Sequence, residues 1–178
     1  GNAHAEFRAF VEKSGIPVAT TLLGIGVLDE DHPQNLRMMG MHGEAYVNRA
    51  IAGADLLIAL GMRFDDRVTG NLKTYAKNAK VIHVEIDPAE INKNVPAEIG
   101  IVGNVKDVLP PLTGMIPGNA YPEWMAQINA WRKDTQDHDI LGATLPENML
   151  LAPHVIRAIW EETHGDVSVC TDVGQHQM

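Results

Sequence analysis

Four short apolar runs, separated by stretches with helical periodicity, limit what this chain can fold into. The runs are residues 17–22, 55–60, 80–85 and 99–102. Continuous apolar residues, rather than alternating ones, predict strands that are buried on both faces between helices. The alternation of strand and helix predicts βαβ units with parallel pairing. We therefore expect an α/β fold, a doubly wound and mainly parallel sheet with helices on both faces.

The helices around these runs are marked by apolar spacing and by stop signals. Phe10 and Val11 share a helical face that ends at Gly15, and a second helix is expected from just after Gly43 to Gly53.

Two later helices are expected before residue 134. Asn104 is a candidate N-cap for a helix that Pro110 and Pro111 must kink or end. Residues 121–133 predict another helix, and its apolar stripe, which includes Ile128, is expected to pack into the core.

The rest of the chain is interpreted as a linker and the start of a second domain. Periodicity lapses over residues 134–147, and beyond them a helix that ends at Gly165 precedes an apolar strand over residues 166–170. Because a helix and one strand cannot close a core, we expect a piece cut from a longer protein. The expected parts are a central domain at 1–133, the linker, and a truncated domain at 148–178.

Composition excludes several classes of function. The 178 residues carry a formal net charge of −9, which gives no cationic field for nucleic acid or anionic lipid. The single cysteine cannot form an internal disulfide, and no apolar run of about 20 residues predicts a membrane span. We expect a cytoplasmic protein without nucleic-acid or membrane partners.

Ligands of open parallel sheets bind beyond the carboxyl ends of the strands, so the residues that follow each strand are candidates for a site. Gly24 and Gly26 would let backbone N–H groups approach a phosphate, and a plain tight turn is the alternative. Met41 could pack on a flat ring and His42 could donate to one, and an exposed helix-entry turn is the alternative.

The stretch at 61–70 is the densest group of such residues. Arg63 lies just beyond a buried strand, where a guanidinium would bind a diphosphate through two hydrogen bonds. For Asp65, Asp66 and Arg67, a salt bridge within the loop is the alternative.

The third and fourth runs end in acceptors. Glu85 and Asp87 stand where a Rossmann-like site holds ribose hydroxyls, or one of them caps a short helix at Pro88. Asn104 is either an adenine-side contact or an N-cap. Together the four loops predict a groove for a dinucleotide.

Residues for other chemistry are few. Cys170 lies in an apolar strand pattern that favours an inert thiol. The 8 histidines lack zinc-ligand spacing and no Walker A loop occurs, so no metal site is predicted.

Four segments resemble the acetolactate synthase family of thiamine-diphosphate enzymes, in its large catalytic subunit. They are residues 61–70, 40–46, 85–91 and 173–178, and the first and last are specific to this family. The resemblance covers nearly the whole chain. It implies a Rossmann-like central domain that binds FAD, followed by the start of the domain that binds thiamine diphosphate.

The resemblance also implies site residues. Those implied for FAD, with two glycines of the same loops, are Thr21, Leu22, Gly24, Gly40, Met41, His42, Gly61, Arg63, Asp65, Glu85, Ile86, Asn104 and Val105. Those implied for thiamine diphosphate are Gln175 and His176, and Asp66 and Arg67 are implied at the mouth of the substrate channel. The family's catalytic glutamate and its Gly-Asp-Gly magnesium motif are expected outside this chain.

The implied reaction decarboxylates pyruvate on thiamine diphosphate and condenses the hydroxyethyl intermediate with pyruvate or 2-ketobutyrate, in branched-chain amino acid synthesis. FAD does no net redox chemistry there. The implied full-length enzyme is a dimer or tetramer with a regulatory small subunit, and the chain alone is expected to be inactive. Two other functions stay open: a middle domain that binds ADP or coenzyme A, or serves only as a spacer, and a stand-alone flavin oxidoreductase.

Overall fold

In the computed structural model, residues 2–136, 149–172 and 174 are described. Contacts divide the chain into two compact units, Gly1–Trp131 and Arg132–Met178. The strands of the first unit are β1 (Val18–Thr20), β2 (Asn35–Met38), β3 (Leu56–Leu60), β4 (Lys80–Glu85) and β5 (Ile99–Val102). The helices of the chain are α1 (His4–Ser14), α2 (Ala45–Gly53), α3 (Asp66–Thr69), α4 (Val105–Met115), α5 (Pro122–Gln136) and α6 (Ala152–Thr163).

All strand pairing is parallel, as the apolar runs predicted, but it is divided between two sheets. β1 pairs with β2, and β3, β4 and β5 form a second sheet in that order. β3 and β4 run in register from Leu56 opposite Lys80 to Leu60 opposite Val84. β2 was not predicted from the sequence, since Asn35–Met38 contains no continuous apolar run like those of the predicted strands.

Helices cover both sides of the strands, which confirms the predicted α/β class. α1 packs against α4, and the Lys13 ammonium donates to the Thr113 carbonyl at 2.6 Å. Val47 of α2 and Ile128 of α5, both with no exposed surface, belong to one core cluster. Trp124 and Trp131 of α5 pack against that cluster and meet edge to face at 5.7 Å, as the predicted stripe requires.

α4 continues through Pro110 and Pro111 to Met115, so of the two outcomes expected, a kink or an end, the end is wrong. The two carbonyls that lose an N–H partner belong to Lys106 and Asp107, which are exposed and can be hydrated. Farther along, Leu109 is fully buried, so packing holds the helix together where local propensity would break it.

α5 begins at Pro122, one residue after the predicted start, and extends to Gln136, so residues 134–136 are helical rather than part of the expected linker. The remaining linker residues, and Asn148 after them, lie outside the described part of the chain.

The second unit contains α6, whose apolar residues at helical spacing were predicted. The strand expected over residues 166–170 does not form, and these described residues have no regular secondary structure and are exposed, Cys170 included. A strand needs a hydrogen-bonded neighbour, and no strand of this unit lies within its described residues. Cys170 is therefore not the buried thiol that the sequence favoured.

Candidate functional site

The carboxyl ends of four strands line one cavity of about 650 Å³ in the first unit. Parallel strands end at the same edge of a sheet, which is where open α/β folds bind ligands. The predicted site residues on its lining are Thr21, Gly24, Gly61, Glu85, Ile86, Asn104 and Val105.

The body of the cavity runs along two edge strands. Every residue of β1 and of β3 lines it, and in the described chain each of these strands pairs on one side only. Phe7, Phe10 and Val11 of α1 add apolar surface. The cavity thus combines a long apolar wall with polar strand ends, the usual character of a small-molecule pocket.

Glu85 is held at the end of β4 with one carboxylate oxygen in use. Its Oε1 accepts from the backbone N–H of Ile86 at 2.8 Å and of Asp87 at 3.4 Å, and the residue is 7% exposed. Its Oε2 has no donor among the described residues, so this oxygen is available to a ligand. The capping role belongs to Asp87, whose Oδ1 accepts from Ala89 N–H at 2.9 Å.

Two further polar groups on the lining have free hydrogen-bonding atoms. Asn104 caps α4 through Oδ1, which accepts from Lys106 N–H at 3.0 Å, and its Nδ2 has no acceptor in the described chain. The Thr21 hydroxyl has no partner there either. Three residues of the cavity lining, Thr21, Glu85 and Asn104, therefore each keep a polar side-chain atom that no described residue bonds.

The loop after β1 forms a short 3-10 helix at Leu22–Gly24. The Gly24 N–H donates to the Thr21 carbonyl at 2.9 Å and is not available to a ligand. Leu22 lies off the cavity lining and is 62% exposed. Of the two interpretations of this loop, the tight turn matches its backbone.

A second group of predicted residues lies off the cavity lining, where the loop after β2 meets α3. The Met41 N–H donates to the Arg67 carbonyl at 2.8 Å, and the Arg67 guanidinium lies 3.6 Å from the Met41 sulfur. Gly40 has φ of +96°, and a Cβ there would stand 2.8 Å from the Arg67 carbonyl oxygen. Met41 and His42 are both exposed.

Arg63 lies in the chain between Gly61 of the cavity lining and Arg67 of the second group. Its neighbours Met62 and Phe64 line the cavity, but Arg63 itself does not. The Arg63 side chain is 70% exposed, and its guanidinium lies 3.7 Å from the carboxylate of Asp65. Asp65 also caps α3 by accepting from Val68 N–H at 3.3 Å. The loop ion pair thus involves Arg63 rather than Arg67.

Three side chains that were not singled out from the sequence fasten these loops. Asn48 forms two 2.9 Å hydrogen bonds with the backbone of Gly40, through its amide oxygen and nitrogen. His83 contacts the Met62 carbonyl, and Asn94 donates to the carbonyls of residues 63 and 64. His83 could have been identified from the sequence, because it is a polar residue inside an apolar strand run. No sequence signal marked Asn48 or Asn94.

Burial raises the pKa of Tyr75, which also lines the cavity, to about 12. The phenol therefore stays neutral at physiological pH. Within the described residues no cluster of His, Cys, Asp or Glu could hold a metal ion. No helix there is both long and apolar enough to cross a bilayer. Gln175 and His176 lie outside the described residues.

Comparison with known proteins agrees with this architecture. Residues 1–112 match the family model of the thiamine pyrophosphate enzyme central domain. The acetolactate synthase large subunits of Buchnera aphidicola subsp. Schlechtendalia chinensis and Porphyra purpurea are 41% and 44% identical to the chain, over 99% of its length. The probable acetolactate synthase 2, chloroplastic, of Oryza sativa subsp. japonica is 43% identical over 97%.

The chain spans only part of these relatives, covering 31% of the Buchnera protein, 30% of the Porphyra protein and 27% of the rice protein. The family match nevertheless takes in most of the chain, up to residue 112. The chain therefore belongs to the thiamine pyrophosphate enzymes, in the family of their central domain.

Proposed function

We propose that this chain is the central segment of an acetolactate synthase large subunit and that its cavity binds FAD. The observation that carries the proposal is the convergence of the ends of β1, β3, β4 and β5 on one cavity. The names of the relatives and the sequence segments that resemble this family support the enzyme class.

The cavity suits a flavin nucleotide in size and chemistry. Its volume of about 650 Å³ lies within the roughly 300–1,000 Å³ of ligand pockets. The apolar wall along β1 and β3 suits a flat ring system, and Thr21, Glu85 and Asn104 would hydrogen-bond its polar groups. The exposed guanidinium of Arg63, beside the cavity, would pair with the diphosphate.

The remaining loop residues extend this proposed site at the surface. Met41 and His42 would contact the part of the ligand that leaves the cavity, since Arg67 joins their loop to the segment that carries Arg63. Leu22 and Asp65 are proposed for the same outer surface, together with Gly40.

The whole enzyme would decarboxylate pyruvate and join the two-carbon unit to a second 2-oxo acid, giving 2-acetolactate or its 2-ketobutyrate homologue. Thiamine diphosphate, with Mg²⁺, would supply the carbanion chemistry. Gln175 and His176 are proposed for its site, and Asp66 and Arg67 for the mouth of the substrate channel. FAD would stabilise the site without net redox, within a homodimer or tetramer that has a regulatory subunit.

Titration of the full-length protein with FAD, followed by flavin fluorescence, tests the proposal. Glu85→Gln turns the free carboxylate acceptor into an amide donor, and Thr21→Val removes the hydroxyl; each change should weaken FAD binding by about five- to tenfold. Lys73→Ala, an exposed change away from the cavity, is the control and should leave binding unaltered. An unchanged Kd in both cavity variants would contradict the assignment.

A domain that binds ADP, or no nucleotide, is the second candidate. It is favoured by the Gly24 N–H, which is already bonded within the chain, and by Met41 and Arg63, which lie off the cavity lining. Competition separates the two: ADP that binds while flavin fluorescence stays unquenched supports the second candidate, and quenching by FAD supports the first.

A further inference from the structure

The loop that carries Arg63 is short and irregular, yet its backbone is well anchored. It leaves β3 at Gly61 and enters α3 at Asp66 without regular structure between them. Phe64 adopts φ of +52°, a left-handed conformation that a bulky side chain adopts only where its surroundings impose it. Contacts with residues outside the loop must therefore hold its backbone in this conformation.

His83 is one of the anchors. It lies in β4 opposite Ala59 of β3, is fully buried, and its Nε2 lies 2.8 Å from the Met62 carbonyl oxygen. Because a carbonyl only accepts, the Nε2 carries the proton. The ring of Phe64 packs edge to face on the His83 ring at 5.0 Å. His83 thus contacts both neighbours of Arg63.

The other nitrogen of His83 shows what this residue contributes. Nδ1 is buried and has no hydrogen-bond partner in the described chain. A buried polar atom without a partner destabilises the fold, and an apolar side chain in this strand would avoid that cost. The advantage of histidine here is therefore its bond to the Met62 carbonyl.

Asn94 anchors the next two peptides. Its Nδ2 donates to the Arg63 carbonyl at 3.3 Å and to the Phe64 carbonyl at 3.0 Å. Three consecutive carbonyls are thus bonded to side chains from two other segments of the chain. Meanwhile the Arg63 guanidinium stays mostly exposed, so the backbone is fixed and the charged end is left free for a ligand.

We propose that His83 and Asn94 are positioning residues that hold Arg63 in its ligand-binding geometry. This inference rests on the proposed function, in which Arg63 pairs with the diphosphate of FAD. Preorganised groups bind more tightly because the ligand does not have to order them. Loss of either anchor should weaken FAD binding through Arg63, without loss of the fold.

The test uses the full-length protein and FAD as the titrant. His83→Leu removes the donor together with the unpartnered nitrogen, and His83→Gln keeps a donor for Met62. Asn94→Asp keeps the shape and removes both donors. We expect a five- to tenfold higher Kd for His83→Leu and Asn94→Asp, about the effect of one hydrogen bond, and partial recovery in His83→Gln. Circular dichroism should show all of them folded.

Asn71→Asp is the matched control for Asn94→Asp, because it makes the same change in an exposed turn and keeps the oxygen that accepts from Lys73 N–H. Its Kd for FAD should equal that of the wild type. A Kd as high as that of Asn94→Asp would show that the added charge, not the lost anchor, weakens binding, and would overturn the inference.

A double-mutant cycle distinguishes positioning from a merely structural role. If His83 acts through Arg63, then His83→Leu should change Kd little in an Arg63→Ala background. Equal effects in both backgrounds would overturn the inference. An effect of Arg63→Ala alone, with none from either anchor, would overturn it and leave the proposed function intact. No effect from Arg63→Ala would contradict the role of Arg63 itself.

Discussion

At the scale of single residues, the site depends on polar atoms that the fold leaves free while it uses their neighbours. Glu85 and Asn104 each use one oxygen to accept from a backbone N–H and keep a second polar atom for the cavity. A sequence shows which residue types follow a strand, but it does not show which atoms are already bonded. Of the two interpretations weighed for Asn104, the N-cap is what the structure shows, and a contact with adenine stays a prediction.

Tyr75 predicts a specific dependence of stability on pH. Its pKa is about 12 in the folded chain against 10.0 in the unfolded chain, because burial disfavours the phenolate. Between these values the unfolded state has released a proton that the folded state keeps, so the free energy of unfolding falls as pH rises. The slope should approach about 1.4 kcal/mol per pH unit. It should shrink in Tyr75→Phe, measured by urea unfolding; an unchanged slope would show that Tyr75 is not the cause.

Ile128 tests how strongly α5 is held by the core. It is fully buried in the cluster that contains Val47 and Ile51, so Ile128→Ala leaves a cavity and should cost about 2–5 kcal/mol. Met115→Ala, at a side chain that is 82% exposed, should change stability by no more than about 0.5 kcal/mol. Equal midpoints for the two variants in urea would show that the stripe of α5 carries no packing energy.

At the scale of elements, two glycines on the packed pair α1 and α4 should respond in opposite directions. Gly15 ends α1 at φ of +69°, and a Cβ there would overlap the Asn119 carbonyl oxygen. Gly15→Ala should therefore cost about 2 kcal/mol or more. Gly114 lies in α4 with open space around it, so Gly114→Ala should add about 0.5–1 kcal/mol of stability. Thermal unfolding compares them, and a stabilising Gly15→Ala would contradict the cap geometry.

The sequence predicted those elements whose burial is signalled by the apolar pattern of their own residues. The apolar runs of β3 and β4 and the stripe of α5 need no distant partner to be recognised. β2 escaped because Asn35–Met38 has no continuous apolar run, and its strand conformation comes from pairing with β1. The continuation of α4 through Pro110 depends on tertiary packing, and the strand expected at 166–170 has no neighbour to pair with among the described residues of its unit.

The site, too, could be predicted from the sequence only where local patterns mark its residues. Glycines, acceptors and Arg63 at strand ends were visible as candidates because strand ends collect ligands. The contact of His83 with Met62 joins residues 21 positions apart, and that of Asn94 with Phe64 joins residues 30 apart. Such contacts follow from the arrangement of the strands, so local sequence patterns do not contain them.

At the scale of the first unit, the proposed site depends on two parallel sheets that meet at one cavity. Apolar side chains of β1, β3 and α1 form its apolar wall, and the residues at the carboxyl ends of four strands form its polar part. This arrangement explains why residues far apart in sequence, such as Thr21 and Glu85, serve one site. The proposed site would be wrong if a flavin nucleotide bound to some other surface of this unit.

A crystal structure of the full-length protein grown with FAD measures this directly. We expect a flavin nucleotide in the cavity, with Thr21 and Glu85 within hydrogen-bonding distance of it and the Arg63 guanidinium at its diphosphate. FAD bound away from these strand ends, or a cavity closed by the protein's own side chains while FAD lies elsewhere, would contradict the proposal.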